Sequence, residues 1–113
     1  MMVANARRGE VAAILDGREM RLRLTLGALA ELEGAFAAED LGALVARFST
    51  GKLSATDMMR IVGAGLRGAG TVVTDEEVGR MDCDDGAAGF ARIVSELLAQ
   101  TFGRAGEGAP QNP

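Results

Sequence analysis

Between Leu22 and Phe36 the chain reads LRLTLGALAELEGAF, and within those fifteen residues its apolar period changes from two to about three and a half. Leu22, Leu24 and Leu26 alternate with Arg23 and Thr25, the pattern of a half-buried strand. From Leu26 onward, Leu29, Leu32 and Phe36 recur at helical spacing among alanines. A strand therefore runs straight into a helix, and Thr25 stands at the junction as an N-cap whose hydroxyl can accept from a first-turn amide. Such a corner sets the angle at which helix crosses strand, and the rest of the chain must cover what it leaves open.

Upstream, Glu10–Leu15 and Arg18–Leu24 flank Asp16-Gly17, a pair suited to a type I′ turn because both central residues need positive φ. Centring the turn there pairs Leu15 with Arg18, Ala13 with Met20 and Val11 with Leu22 on one apolar face. The other face pairs Ile14 with Glu19, Ala12 with Arg21 and Glu10 with Arg23, so Glu10 and Arg23 form an expected cross-strand ion pair. A two-stranded ribbon is marginal alone and needs a helix over it, or another chain beside it.

Downstream the periodicity predicts helices over about 26–37, 41–48, 55–68, 75–81 and 87–102. Asp40 can cap the second, and Ser54 with Asp57 and Thr74 with Glu77 form capping boxes for the third and fourth. In the third helix Met58, Ile61, Val62, Gly65, Leu66 and Ala69 form one stripe, with Arg60 and Arg67 opposite. The fifth presents Phe90, Ile93, Val94, Leu97 and Leu98, and Gly103 is its C-cap. The fold class is α+β: an N-terminal β-hairpin packed on a cluster of four to five α-helices. The organisation is a flexible arm over 1–9, one domain over 10–103 and a disordered tail over 104–113.

With 113 residues the chain can bury one core. Twelve basic against sixteen acidic residues leave a net charge of −4, which argues against general nucleic-acid binding. The single Cys83 excludes an internal disulfide and suits a reducing compartment. No apolar run is long enough to span a bilayer and no signal-peptide core is present, so a cytoplasmic protein is expected.

Three constellations could carry chemistry. Gly63-Ala64-Gly65-Leu66-Arg67-Gly68 matches a dinucleotide fingerprint by letter, but its glycines close a helix instead of opening one. A close helix approach at Gly65 is the better reading. Asp82, Asp84 and Asp85 suggest a calcium loop, yet Gly86 and Ile93 fall where ligands are required; an acidic turn capping the last helix is expected. Cys83 lies among carboxylates that disfavour a thiolate, with no histidine to activate it. No catalytic, cofactor-binding or metal-ligating residue is assigned, and no enzyme is expected. Glu33 projects toward the apolar stripe of the first helix while Glu31 points away. It is expected either to pair with an arginine at the core boundary or to make a polar contact at a subunit interface.

The hairpin with Asp16-Gly17, the corner Leu24-Thr25-Leu26-Gly27-Ala28-Leu29-Ala30-Glu31-Leu32-Glu33 and the segment Ala64-Gly65-Leu66-Arg67-Gly68-Ala69-Gly70 occur in an order that resembles a known family. It is similar to the small tail proteins of gene transfer agents, phage-like particles encoded in bacterial genomes, and to phage tail assembly chaperones. The resemblance spans about residues 9–103. It implies a non-enzymatic tail assembly chaperone that shields the tape-measure protein, with a structural tail-tube component or a protein-binding adaptor as alternatives. Expected partners are the tape-measure or other tail proteins, with homo-oligomers possible and no membrane. The candidate surfaces are the hairpin edge over 10–15 and the glycine-flattened face at Gly65. Val11, Ala13, Leu22, Glu33, Gly65 and Leu66 are the partner-binding candidates. A particle-associated location is the alternative to a purely cytoplasmic one.

Overall fold

A computed structural model describes residues 9–50 and 52–103. The expected arm and tail fall outside these residues, except that Gly9 lies against the end of the last helix, near the Gln100 carbonyl. Strands β1 (Val11–Leu15) and β2 (Arg18–Leu22) form an antiparallel hairpin, followed by α1 (Leu26–Ala35), α2 (Leu41–Ser49), α3 (Ala55–Gly68), α4 (Asp75–Gly79) and α5 (Gly86–Phe102). The architecture is α+β, as expected.

The hairpin register runs from Val11 opposite Leu22 to Leu15 opposite Arg18. Asp16 and Gly17 both have positive φ, 54° and 74°, as a type I′ turn demands. The turn is also anchored: the Asp16 N–H donates to the Asp82 carbonyl at 2.9 Å, and the Asp16 carboxylate accepts from the Asp82 N–H at 2.8 Å. At its other end the ladder stops at Leu22, and the next N–H, that of Arg23, donates to the Gly65 carbonyl of α3. The Glu10 carboxylate lies 3.8 Å from the Arg21 guanidinium, a diagonal contact where Arg23 was expected.

Each helix start follows its local chemistry. Thr25 caps α1 through the Ala28 N–H and Asp40 caps α2 through the Ala43 N–H. Both capping boxes close reciprocally, Ser54 with Asp57 and Thr74 with Glu77. The acidic turn before α5 does not act as a cap, contrary to expectation. Asp85 has φ 70° and makes no side-chain cap bond; its carboxylate lies 3.0 Å from Arg92 instead.

α1 stops at Ala35, two residues earlier than its periodicity suggests. Ala37 takes the left-handed conformation (φ 55°) while the Ala38 N–H donates to the Glu33 carbonyl and the Ala37 N–H to that of Gly34. This is a Schellman closure. The same closure ends α3, with Gly70 in the left-handed position and Thr71 donating to Leu66.

The centre of the domain is α3. Every residue from Ile61 to Leu66 is buried, so this segment is enclosed on all sides instead of presenting one stripe. It packs against α1, α4, α5 and β2. Leu15, Leu22, Leu32, Leu44, Ile61, Leu66 and Leu97 are the large side chains of the interior. Gly65 makes the packing possible: a methyl added there would stand 2.8 Å from Leu97 Cδ2 and 3.1 Å from Leu22 Cβ. Gly68 is tighter, since an added Cβ would overlap the Arg23 carbonyl oxygen. The close approach expected at Gly65 is therefore present, but it joins α3 to the hairpin as well as to a helix.

Candidate functional site

Five of the six partner-binding candidates are inside the core. Val11, Ala13, Leu22 and Leu66 are buried hydrophobics, and Gly65 is buried with them. The apolar face of the hairpin is covered by this chain's own α3 and α5, so those side chains have no area left for a partner in this fold. That corrects the expectation of an exposed face at Gly65 and Leu66.

Glu33, the sixth, is half-buried, and among the described residues it has no ion-pair partner. Arg67 pairs with Glu31 instead. The buried arc of α1 contains Ala28, Leu29 and Leu32, which puts Glu31 and Glu33 on opposite margins at 100° per residue. Arg67 reaches the Glu31 margin. The other margin also carries Leu26, which is 77% exposed although it begins the apolar series.

Arg67 is the most connected polar group of the domain. It lies 3.0 Å from the Asp75 carboxylate, donates to the Val73 carbonyl at 2.8 Å and also binds Glu31. It ties α1 and α3 to the entry of α4. The hydrogen bond to Glu31 is the main influence holding its pKa above the ordinary value, against the opposing effect of burial. Gly63 leaves room for this cluster, because a Cβ there would collide with the Asp75 carboxylate. The sequence suggested only an exposed arginine opposite the apolar stripe.

Open apolar area lies elsewhere. One groove of about 160 Å³ is lined by Met58, Met59, Val78 and Phe90, with the small Ala55, Gly79 and Ala87 between them. A second, of about 330 Å³, is lined by Phe48, Leu53, Met58, Val94 and Leu98 with Ala91 and Ser95. Met58 lines both, so the two adjoin at its side chain and together make an apolar trough against α2, α3, α4 and α5. No charged side chain lines it. The sequence placed Met58, Phe90 and Leu98 on core-facing stripes; the adjacent methionines at 58 and 59 were the available sign of a softer surface.

Among the described residues no cluster of His, Cys, Asp or Glu could hold a metal ion, and no helix is long and apolar enough to cross a membrane. Cys83 is half-buried at an isolated bridge to Leu15. Its pKa is raised, first by burial and then by the charge of Asp84.

Fold and surface together define a small α+β domain whose accessible feature is an apolar trough between helices. Residues 8–104 match the family described as phage tail tube protein, GTA-gp10, and the chain belongs to that family of phage-like tail proteins. No curated protein and no solved structure matches it.

Proposed function

We propose that the chain is a tail assembly chaperone that holds apolar helical segments of the tape-measure protein before the tube closes around them. The observation that carries this reading is the trough centred on Met58. An amphipathic helix binds by laying an apolar face into such a groove. Methionine, unbranched and polarizable, adapts to successive, non-identical segments of a long partner. Several copies along one tape measure would add avidity without any new type of contact. In this reading the protein acts in the cytoplasm, with no catalytic step of its own.

Co-expression with a tape-measure protein of a tail of this phage-like type tests the reading. A co-purifying complex is expected, and Met58→Glu with Phe90→Glu should release the partner while leaving the fold intact. Two proteins that purify separately under all conditions would overturn it.

The second reading is a structural tail component, favoured by the family's description as a tail tube protein. It requires the chain to persist in finished particles, whereas a chaperone is left behind. Mass spectrometry of purified particles separates the two. Only two strands occur among the described residues, and a tube ring built from sheets needs more, which is why the chaperone reading is preferred.

A further inference from the structure

We propose that the edge of β1 turned away from β2, open beyond Cys83 among the described residues, is a docking slot for one extended, basic segment of a partner protein, received as a third strand. This goes beyond the trough at Met58 and uses none of its residues.

The hairpin geometry settles which groups face the edge. In a two-residue type I′ hairpin the pair flanking the turn, here Leu15 and Arg18, is hydrogen-bonded, and alternate pairs follow. The main-chain groups of Ala13 are thereby spent on β2, while those of Ala12 and the N–H of Ile14 point the other way. The same alternation on β2 sends the Arg23 N–H outward, where it meets Gly65.

A third strand has already begun at the turn end of this edge. Cys83 forms an isolated antiparallel bridge with Leu15, and the Asp16 N–H donates to Asp82. The chain then leaves: Asp85 and Gly86 take positive φ and α5 starts. Gly89 lets this stub lie on α5, since a Cβ there would overlap the Asp84 carbonyl and come within 2.8 Å of Cys83 Sγ. Beyond the stub, where the strand would have continued past Ile14 and Ala12, the structure has a groove of about 270 Å³ between β1 and α5. Ile93 and Glu96 are among the α5 residues beneath it, and Ile14 on its flank is 52% exposed.

Charge and depth select the occupant. Asp84 and Glu96 are exposed carboxylates in the lining, while the guanidinium of Arg92 is engaged by Asp85 at 3.0 Å. The slot therefore favours a strand with basic side chains alternating with small apolar ones. Because α5 lies directly beneath, the space admits one strand. A second copy of this domain would bring its own helix layer under its strand, and that layer would compete with α5.

The test uses the full chain labelled for NMR and a seven-residue peptide alternating lysine and valine. At saturation in low salt, amide exchange at Ala12 and Ile14 should slow by about tenfold or more. Ala12→Pro removes an outward donor without breaking the β1–β2 ladder and should abolish the protection. Asp84→Lys with Glu96→Lys, both on the surface, should weaken the lysine peptide about tenfold and favour a glutamate–valine peptide. Met58→Glu should leave all of this unchanged, which separates failure here from failure of the chaperone reading. Unchanged exchange with the peptide would overturn the proposal. So would equal binding by the charge-reversed variant, or edge protection in the peptide-free protein with a concentration-dependent doubling of mass, the mark of a second copy.

Discussion

The N–H of Arg23 donates to the carbonyl of Gly65 at 2.9 Å, so the strand leaving the hairpin is joined to the last turn of α3 through main-chain atoms. The Gly65 carbonyl also accepts from the Ala69 N–H, so Arg23 uses its second lone pair, which requires the strand to come close, and Gly65 and Gly68 are where it does. Gly68→Ala should be the more damaging substitution, because its methyl meets the rigid Arg23 carbonyl. At Gly65 the nearest obstacle is a side-chain end, Leu97 Cδ2, and not main chain. Overpacking costs about 1–3 kcal/mol and the helix gains about 1 kcal/mol from replacing glycine by alanine. Gly65→Ala is therefore expected to lose about 1 kcal/mol or less and Gly68→Ala about 2 kcal/mol, read from urea denaturation midpoints.

Arg67 and the two glutamates of α1 give a paired test. Arg67→Met removes the partner of Glu31 and Asp75 and the donor to the Val73 carbonyl. A loss of about 1–2 kcal/mol is expected, discounted for partial exposure and smaller in high salt. Glu31→Ala should lose part of that. Glu33→Ala should change melting little, by about 0.5 kcal/mol or less, as for a surface site away from special contacts. If Glu33→Ala weakens assembly with melting unchanged, Glu33 belongs to an interface.

Ala37 occupies a left-handed position that its neighbour motif at Gly70 fills with glycine. A non-glycine residue there costs about 1–2 kcal/mol, partly offset by the extra freedom glycine has when unfolded. Ala37→Gly should stabilise the domain by about 0.5–1 kcal/mol, visible as a raised thermal midpoint. Ala37→Val should do the opposite, since a branched side chain tolerates positive φ still less.

The Cys83 thiol should titrate above its value in the unfolded chain, because burial and the nearby Asp84 charge both disfavour the thiolate. The sign follows directly. A group raised on folding contributes stability below its unfolded pKa, and that contribution is lost as the pH climbs through the folded value. Thiolate absorbance in an alkaline titration should thus appear later in the folded protein than in urea, and Asp84→Asn should bring it earlier.

Local chemistry made much of the framework legible. Asp16-Gly17 specifies a turn that only one register satisfies, and alternation then assigns every side chain of β1 and β2 to a face. Thr25, Asp40, Ser54 and Thr74 mark helix starts because each supplies an acceptor to an otherwise orphaned N–H within three residues of itself. Asp85 shows the limit of that reading: it has the right residue type at the right place, yet its left-handed backbone gives its carboxylate to Arg92.

What sequence alone determined about this protein is what acts within a turn or a strand pair: the hairpin, its register, the helix starts and the α+β class. Tertiary structure decided which apolar surfaces survive. Val11, Leu22, Gly65 and Leu66 were spent on the core because α3 is enclosed on every side, and the open area moved to Met58 and Phe90. Periodicity gives the direction of a side chain around its own axis, but exposure depends on how many neighbours meet that axis, and those neighbours come from distant parts of the chain.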